Sequence, residues 1–222
     1  MTQKKNNYGE SKFWKFVNLA GNAMGANLLF VLCCLPVVTI GPATCGLYSA
    51  VRYMIRKEGW FQGFKEGFKK HFLRTMIAGI LCVGMMVYLI LNFNLALNFY
   101  TDTGDISAVI THGIVMLFPA LIAAALWPLN IYIPYDLTDW LKNSVNLIIK
   151  APLMVLGSAV LWWVPVFLIL YFAGFTVGYL ILFIGVYFSM TVFVSTLLLK
   201  DALVVQLKQY RAEHPENIED AE

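Results

Sequence analysis

Charge is what this chain has least of. Asp, Glu, Lys and Arg make up 13% of its 222 residues, against 59% apolar residues, about half the charged share of an ordinary globular protein. So few ionic groups cannot cover the water-facing surface of a chain this long. That excludes a soluble globular enzyme, a disordered chain and a nucleic-acid-binding domain. Cysteine is also scarce: Cys33, Cys34, Cys45 and Cys82 all lie in apolar stretches, which excludes a disulfide scaffold. They are expected to be reduced, small hydrophobes; a disulfide between Cys34 and Cys45, which flank a turn, is the alternative. The three histidines, His71, His112 and His214, stand in three separate regions, so no two share a metal at helical spacing. There is no glycine-rich phosphate loop, no His-Glu-x-x-His and no carboxylate pair in an apolar segment. No catalytic residue, metal or cofactor is therefore expected, and the chain is not expected to be an enzyme.

What is present is long charge-free sequence. Thirty-six residues separate Lys15 from Arg52, 27 separate Arg74 from Asp102, 30 separate Asp105 from Asp136, and 49 separate Lys150 from Lys200. A spanning helix takes about 20 apolar residues. The two middle stretches predict one crossing each. The last predicts two, joined at 174–176. The first is slightly short for two spans and is broken by the run Leu35-Pro36-Val37-Val38-Thr39-Ile40-Gly41-Pro42, where proline and glycine end or bend a helix. A first helix over about 16–38 and a short second one over about 43–57 follow; the second either crosses or forms a re-entrant hairpin. The expected fold is all-α: a polytopic membrane protein of about six transmembrane helices, with residues 1–210 as one membrane domain. Residues 211–222 are expected to form an acidic, disordered cytoplasmic tail.

Sidedness follows from the basic residues. With this arrangement all 16 Lys and Arg fall on one side and only Asp102 and Asp105 on the other. Lys and Arg are retained in the cytoplasm, so both termini are expected there. Trp14, Trp60, Tyr135 and Trp140 fall at the inner boundary, and Tyr100, Tyr171 and Tyr179 near the outer one, where amphipathic rings prefer to sit.

Two short amphipathic segments adjoin the spans. Over 60–74, Phe61, Phe64, Phe68 and Phe72 form one stripe, with Lys65, Lys69 and Lys70 among the polar remainder. Over about 137–149, Leu137, Trp140, Leu141, Val145 and Ile148 do the same. Both are expected to lie in the inner interface plane. Phe61, Phe64, Lys65, Phe68, Lys69 and Lys70 are then either a docking surface for a cytoplasmic partner or anionic lipid, or a topology anchor. An offset of 77 residues overlays the two segments and places Pro42-Ala43 on Pro119-Ala120, which suggests a parallel repeat of an interfacial helix followed by two spans.

The block from Asn27-Leu28-Leu29 through Leu35-Pro36-Val37-Val38-Thr39-Ile40-Gly41-Pro42-Ala43-Thr44, with Leu47-Tyr48, resembles the signature of the YesL family of bacterial membrane proteins. The basic Phe/Lys segment and later apolar pairs match that family's layout across nearly the whole chain. The resemblance implies a multi-pass protein of the bacterial plasma membrane associated with carbohydrate (oligosaccharide) uptake. It supplies no catalytic residue.

Uncharged groups remain as candidates. No Asp, Glu, Lys or Arg interrupts the four apolar stretches, which argues against proton-coupled transport. Gly21 and Gly25, then Gly174, Gly178 and Gly185, are expected to pack helices closely. Trp162 and Trp163 stand mid-segment, Trp127 and Asn130 lie in the inner half of another span, and Asn22 lies on the first. Indole rings stack on sugars and amides pair with hydroxyls, so these five residues are a candidate ligand site; helix packing is the other reading. The lipid bilayer is the expected partner, with a sugar-transporter complex or a second copy of the chain as protein partner, and no nucleic acid. Two functions stand at this point: participation in carbohydrate uptake, or a non-transporting assembly or regulatory subunit.

Overall fold

The computed structural model describes residues 12–133, 135, 137–171 and 183–214. They form eight α-helices and no strand: α1 (Lys12–Cys34), α2 (Ile40–Ile55), α3 (Trp60–Lys69), α4 (Phe72–Thr103), α5 (Ser107–Tyr132), α6 (Leu137–Lys150), α7 (Pro152–Tyr171) and α8 (Phe188–Glu213). A wider helical turn, Phe183–Tyr187, leads into α8. Four described segments are long and apolar enough to cross a membrane: Val17–Cys34, Phe72–Thr103, Ser107–Tyr132 and Gly185–Glu213. Helices α6 and α7 meet at 107°. The break falls at Ala151, just before Pro152, whose missing N–H suits a first helical position. This is an integral, all-helical membrane architecture, with the amphipathic α3 and α6 each followed by two apolar helices. The expected connection at 174–176 and residues 215–222 of the expected tail lie outside the described residues; Arg211 to Glu213 continue α8.

Helix α2 is the center of the molecule. Residues 41–51 are all buried, between α1, α3, α4, α5 and α8. Its 16 residues measure about 24 Å. Its first turn does not reach the far end of the bundle, because Gly41 lies against the backbone of Thr75 and Gly79. Helix α4 runs on from there to Thr103, about 36 Å further. Phe30, near the end of α1, packs on Phe188 with ring centroids 4.9 Å apart, and Phe188 also meets Trp162 in the middle of α7. The α1–α2 turn therefore sits beside the start of α4 and the middle of α7, short of the far end of α4.

The tip of that hairpin suits hydrocarbon. Leu35, Val37 and Val38 are exposed, while several backbone groups of the turn are bonded internally. Thr39 N–H donates to Pro36 O at 3.0 Å. The Thr39 hydroxyl donates to Pro36 O at 2.7 Å and also to Cys33 O. A lipid-facing turn without such bonds would be untenable.

Helix α3 packs along α2 rather than lying apart from it. Gly63 abuts Tyr53 and Gly67 abuts Ser49 and Cys45, so the two run antiparallel. The reversal between them uses Lys57 at φ 62°, with Glu58 N–H bonded to Tyr53 O at 2.9 Å, a helix end that normally favors glycine. At the far end of α4, Gly104 (φ 74°) closes the helix, and Asp105 accepts a bond from Ser107 N–H at 2.9 Å that opens α5. That amide holds the Asp105 carboxyl below its usual range.

Two of the aromatic residues expected at the inner boundary are held by protein. Trp140 is fully buried and Tyr135 nearly so. Trp140 donates its indole N–H to Leu126 O at 2.6 Å, and Tyr135 packs edge-on against Tyr210 at 5.2 Å. A protein carbonyl and a protein ring replace the headgroup environment that would otherwise hold them.

Candidate functional site

A cavity of about 470 Å³ opens at mid-depth. Six helices wall it. Phe30 and Cys34 come from α1, Ile40 and Thr44 from α2, Gly79, Cys82, Val83 and Met86 from α4, Ala124 and Trp127 from α5, Trp162 and Trp163 from α7, and Phe188 from α8. The hairpin contributes two of its walls, through Phe30 and Cys34 on one arm and Ile40 and Thr44 on the other.

The three candidate tryptophans share this wall. Trp162 stacks over Tyr48 at 6.4 Å and donates its N–H to the Tyr48 hydroxyl at 3.3 Å. Trp163 packs with Met86, Leu89 and Ala120. Trp127 meets Trp140 edge-on at 6.1 Å. The two candidate asparagines do not line the cavity. Asn130 is buried and donates to Cys45 Sγ at 3.3 Å; Asn22 is exposed on α1.

The wall offers little to a polar ligand. The Thr44 hydroxyl is spent on Ile40 O at 2.8 Å, and the Trp162 N–H on Tyr48. A sugar placed here would leave most of its hydroxyls without partners, each at a cost of roughly 1–3 kcal/mol. All four cysteines are free thiols, two of them in the wall.

Two arginines hold the end of α5 and the connection after it. Arg52 donates to Ile131 O at 3.1 Å and lies 5.5 Å from the center of the Tyr132 ring. Arg74 donates to Tyr135 O at 2.6 Å and stacks 4.3 Å from the Trp140 ring. Arg52 meets the carbonyl end of α5, where a cation is favored, and Arg74 bonds the connection just beyond it. Counting charges along the sequence places these two among the snorkeling and loop cations. A Trp thirteen residues after Trp127, close behind the proline-containing end of a span, is the sequence signal of the aromatic partner of Arg74.

On the amphipathic α3, Phe64 is buried against Gly46, and Phe68 stacks on Phe64 at 6.1 Å. Phe61, Lys65, Lys69 and Lys70 are exposed. The aromatic stripe thus faces α2, leaving one phenylalanine and three lysines outward. Of the glycines expected to pack helices, Gly25 touches the Trp60 ring, Gly21 and Gly185 have open space, and Gly174 and Gly178 lie outside the described residues. The closest backbone contacts are instead at Gly41, Gly67 and Gly79.

Among the described residues no cluster of three or more His, Cys, Asp or Glu could hold a metal. No curated protein and no solved structure matches the chain. Over residues 23–93, from the second half of α1 through the Gly41–Gly79 contact to the middle of α4, the chain is similar to the family described as "Protein of unknown function, DUF624".

Proposed function

We propose that the chain is a non-transporting, non-catalytic subunit that binds another membrane protein through the outward face of α3. The observation that carries this reading is the dryness of the cavity: the rings that could stack on a sugar meet in a space with almost no hydroxyl or amide partner. Two buried polar pairs inside the bundle serve the fold instead. Asn27 accepts from Ser189 N–H at 3.0 Å, and Ser158 bonds Ser195 at 2.9 Å. Phe61 with Lys65, Lys69 and Lys70 is a compact apolar-basic surface next to the bilayer, suited to an acidic cytoplasmic segment. The role in carbohydrate uptake that the family resemblance implies is then exerted through a partner transporter.

Two measurements test this. Purified protein in vesicles should move no labeled oligosaccharide by itself; flux through the chain alone overturns the proposal. In native membranes, a photocrosslinker at Phe61 should capture one defined membrane protein, and Lys65→Glu with Lys69→Glu should abolish that capture. Repeated recovery of only monomer or self-adduct also overturns it.

A further inference from the structure

We propose that the mid-depth cavity holds one acyl chain of a membrane phospholipid. An apolar void of about 470 Å³ leaves its lining atoms without contacts, a penalty that grows with volume. Water does not relieve it, because each buried water needs two to four polar partners and the Thr44 and Trp162 donors are already engaged. Hydrocarbon does. At roughly 30 Å³ per water-sized group, and a methylene is of similar size, the space takes about fifteen such groups, the bulk of one chain rather than two.

The surroundings give that chain a way in. Cys34, Cys82 and Val83 are only partly buried, so the wall opens between the hairpin tip and α4. The residues flanking that opening, Leu35, Leu81 and Met85, are exposed and apolar. Among the described residues, cavity and bilayer interior are thus continuous, with no polar group to cross. The depth matches as well. Gly79 to Met86 lie about 8–18 Å along α4 from Arg74, the range of the methylenes below a headgroup level with that arginine. Trp162 and Phe188, held by their ring contacts with Phe30, give the chain a rigid floor.

The full-length protein in phosphatidylglycerol–phosphatidylethanolamine vesicles, with a trace of phospholipid carrying a diazirine in mid-chain, provides the test. After irradiation, adducts mapped by mass spectrometry should concentrate on Cys82, Val83, Met86, Trp127 and Trp162. Cys82→Trp, which fills the space, should lower them about tenfold, equivalent to roughly 1.4 kcal/mol, while labeling of exposed Leu91 and Leu95 stays unchanged. Ala123→Phe, from another wall, should do the same and serves if Cys82→Trp does not fold. Labeling of the cavity no higher than at Leu91 and Leu95, or unaffected by either filling variant, overturns the proposal. So does displacement of the adducts by an isoprenoid quinone but not by unlabeled phospholipid.

Discussion

Arg74 joins three elements through one side chain. It starts α4, donates to the carbonyl of Tyr135 beyond the end of α5, and stacks on Trp140 of α6. A lysine has neither the planar face nor the fork to do both. Arg74→Ala should lower unfolding stability in detergent by about 2–4 kcal/mol, from a charged hydrogen bond plus a cation–π contact, and Arg74→Lys should recover less than half. Trp140→Phe should cost about 2–4 kcal/mol, from the lost bond to the Leu126 carbonyl and the space that a smaller ring leaves at a fully buried position; stability equal to wild type would contradict both. His71, between α3 and α4, has φ 53°. Burial, helped by the neighboring Arg74 and Lys70 charges, lowers its pKa. The folded protein therefore binds this proton less readily than the unfolded chain, and stability is lost as pH falls through about 6.5, the unfolded value, toward the lower folded one. His71→Asn tolerates the same backbone and should flatten the Tm-versus-pH slope there. An unchanged slope would assign the titration to another group.

At the scale of elements, the hairpin of α1 and α2 is set by backbone contact. A Cβ at Gly41 would lie 1.9 Å from Thr75 O, and one at Gly79 2.7 Å from Gly41 N. Backbone cannot rotate aside as a side chain can. Gly41→Ala or Gly79→Ala should cost about 2 kcal/mol or more, whereas Gly21→Ala, with open space around it, should be neutral or slightly stabilizing in its helix. Equal effects at Gly21 and Gly41 would disprove the contact. The sequence pointed to the turn, through Pro36, Gly41 and Pro42, but not to its depth, because the partner of Gly41 lies in another helix and leaves no local pattern. Small-xxx-small spacing drew attention to Gly21 and Gly25 for the same reason: spacing describes one helix face and is silent about what meets it. The amphipathic stripe of Phe64 and Phe68 was legible as a helix, yet the same pattern serves an interface or, as here, a neighboring helix.

For the whole molecule, composition carried the class of fold: long charge-free stretches became long apolar helices, and the amphipathic segments fell between them. The site was legible only in part. Trp127, Trp162 and Trp163 do converge, but the asparagines that would have made their meeting place polar are turned elsewhere, an orientation that sequence spacing does not encode. The placement of charge makes a direct prediction. In intact cells, an impermeant thiol reagent should modify Thr103→Cys at the outer end of α4 and leave Val37→Cys unmodified; rapid labeling of both would mean that the α1–α2 turn reaches the outer surface. The seam between Gly41 and Gly79 also bears on biogenesis. When α1 and α2 leave the ribosome, the groove that α2 is shaped to occupy has not yet been synthesized. The short second segment must wait at the insertion machinery until α4 arrives, so a nascent chain stalled before Gly79 should stay bound to the translocon, and one stalled after Thr103 should be released into lipid.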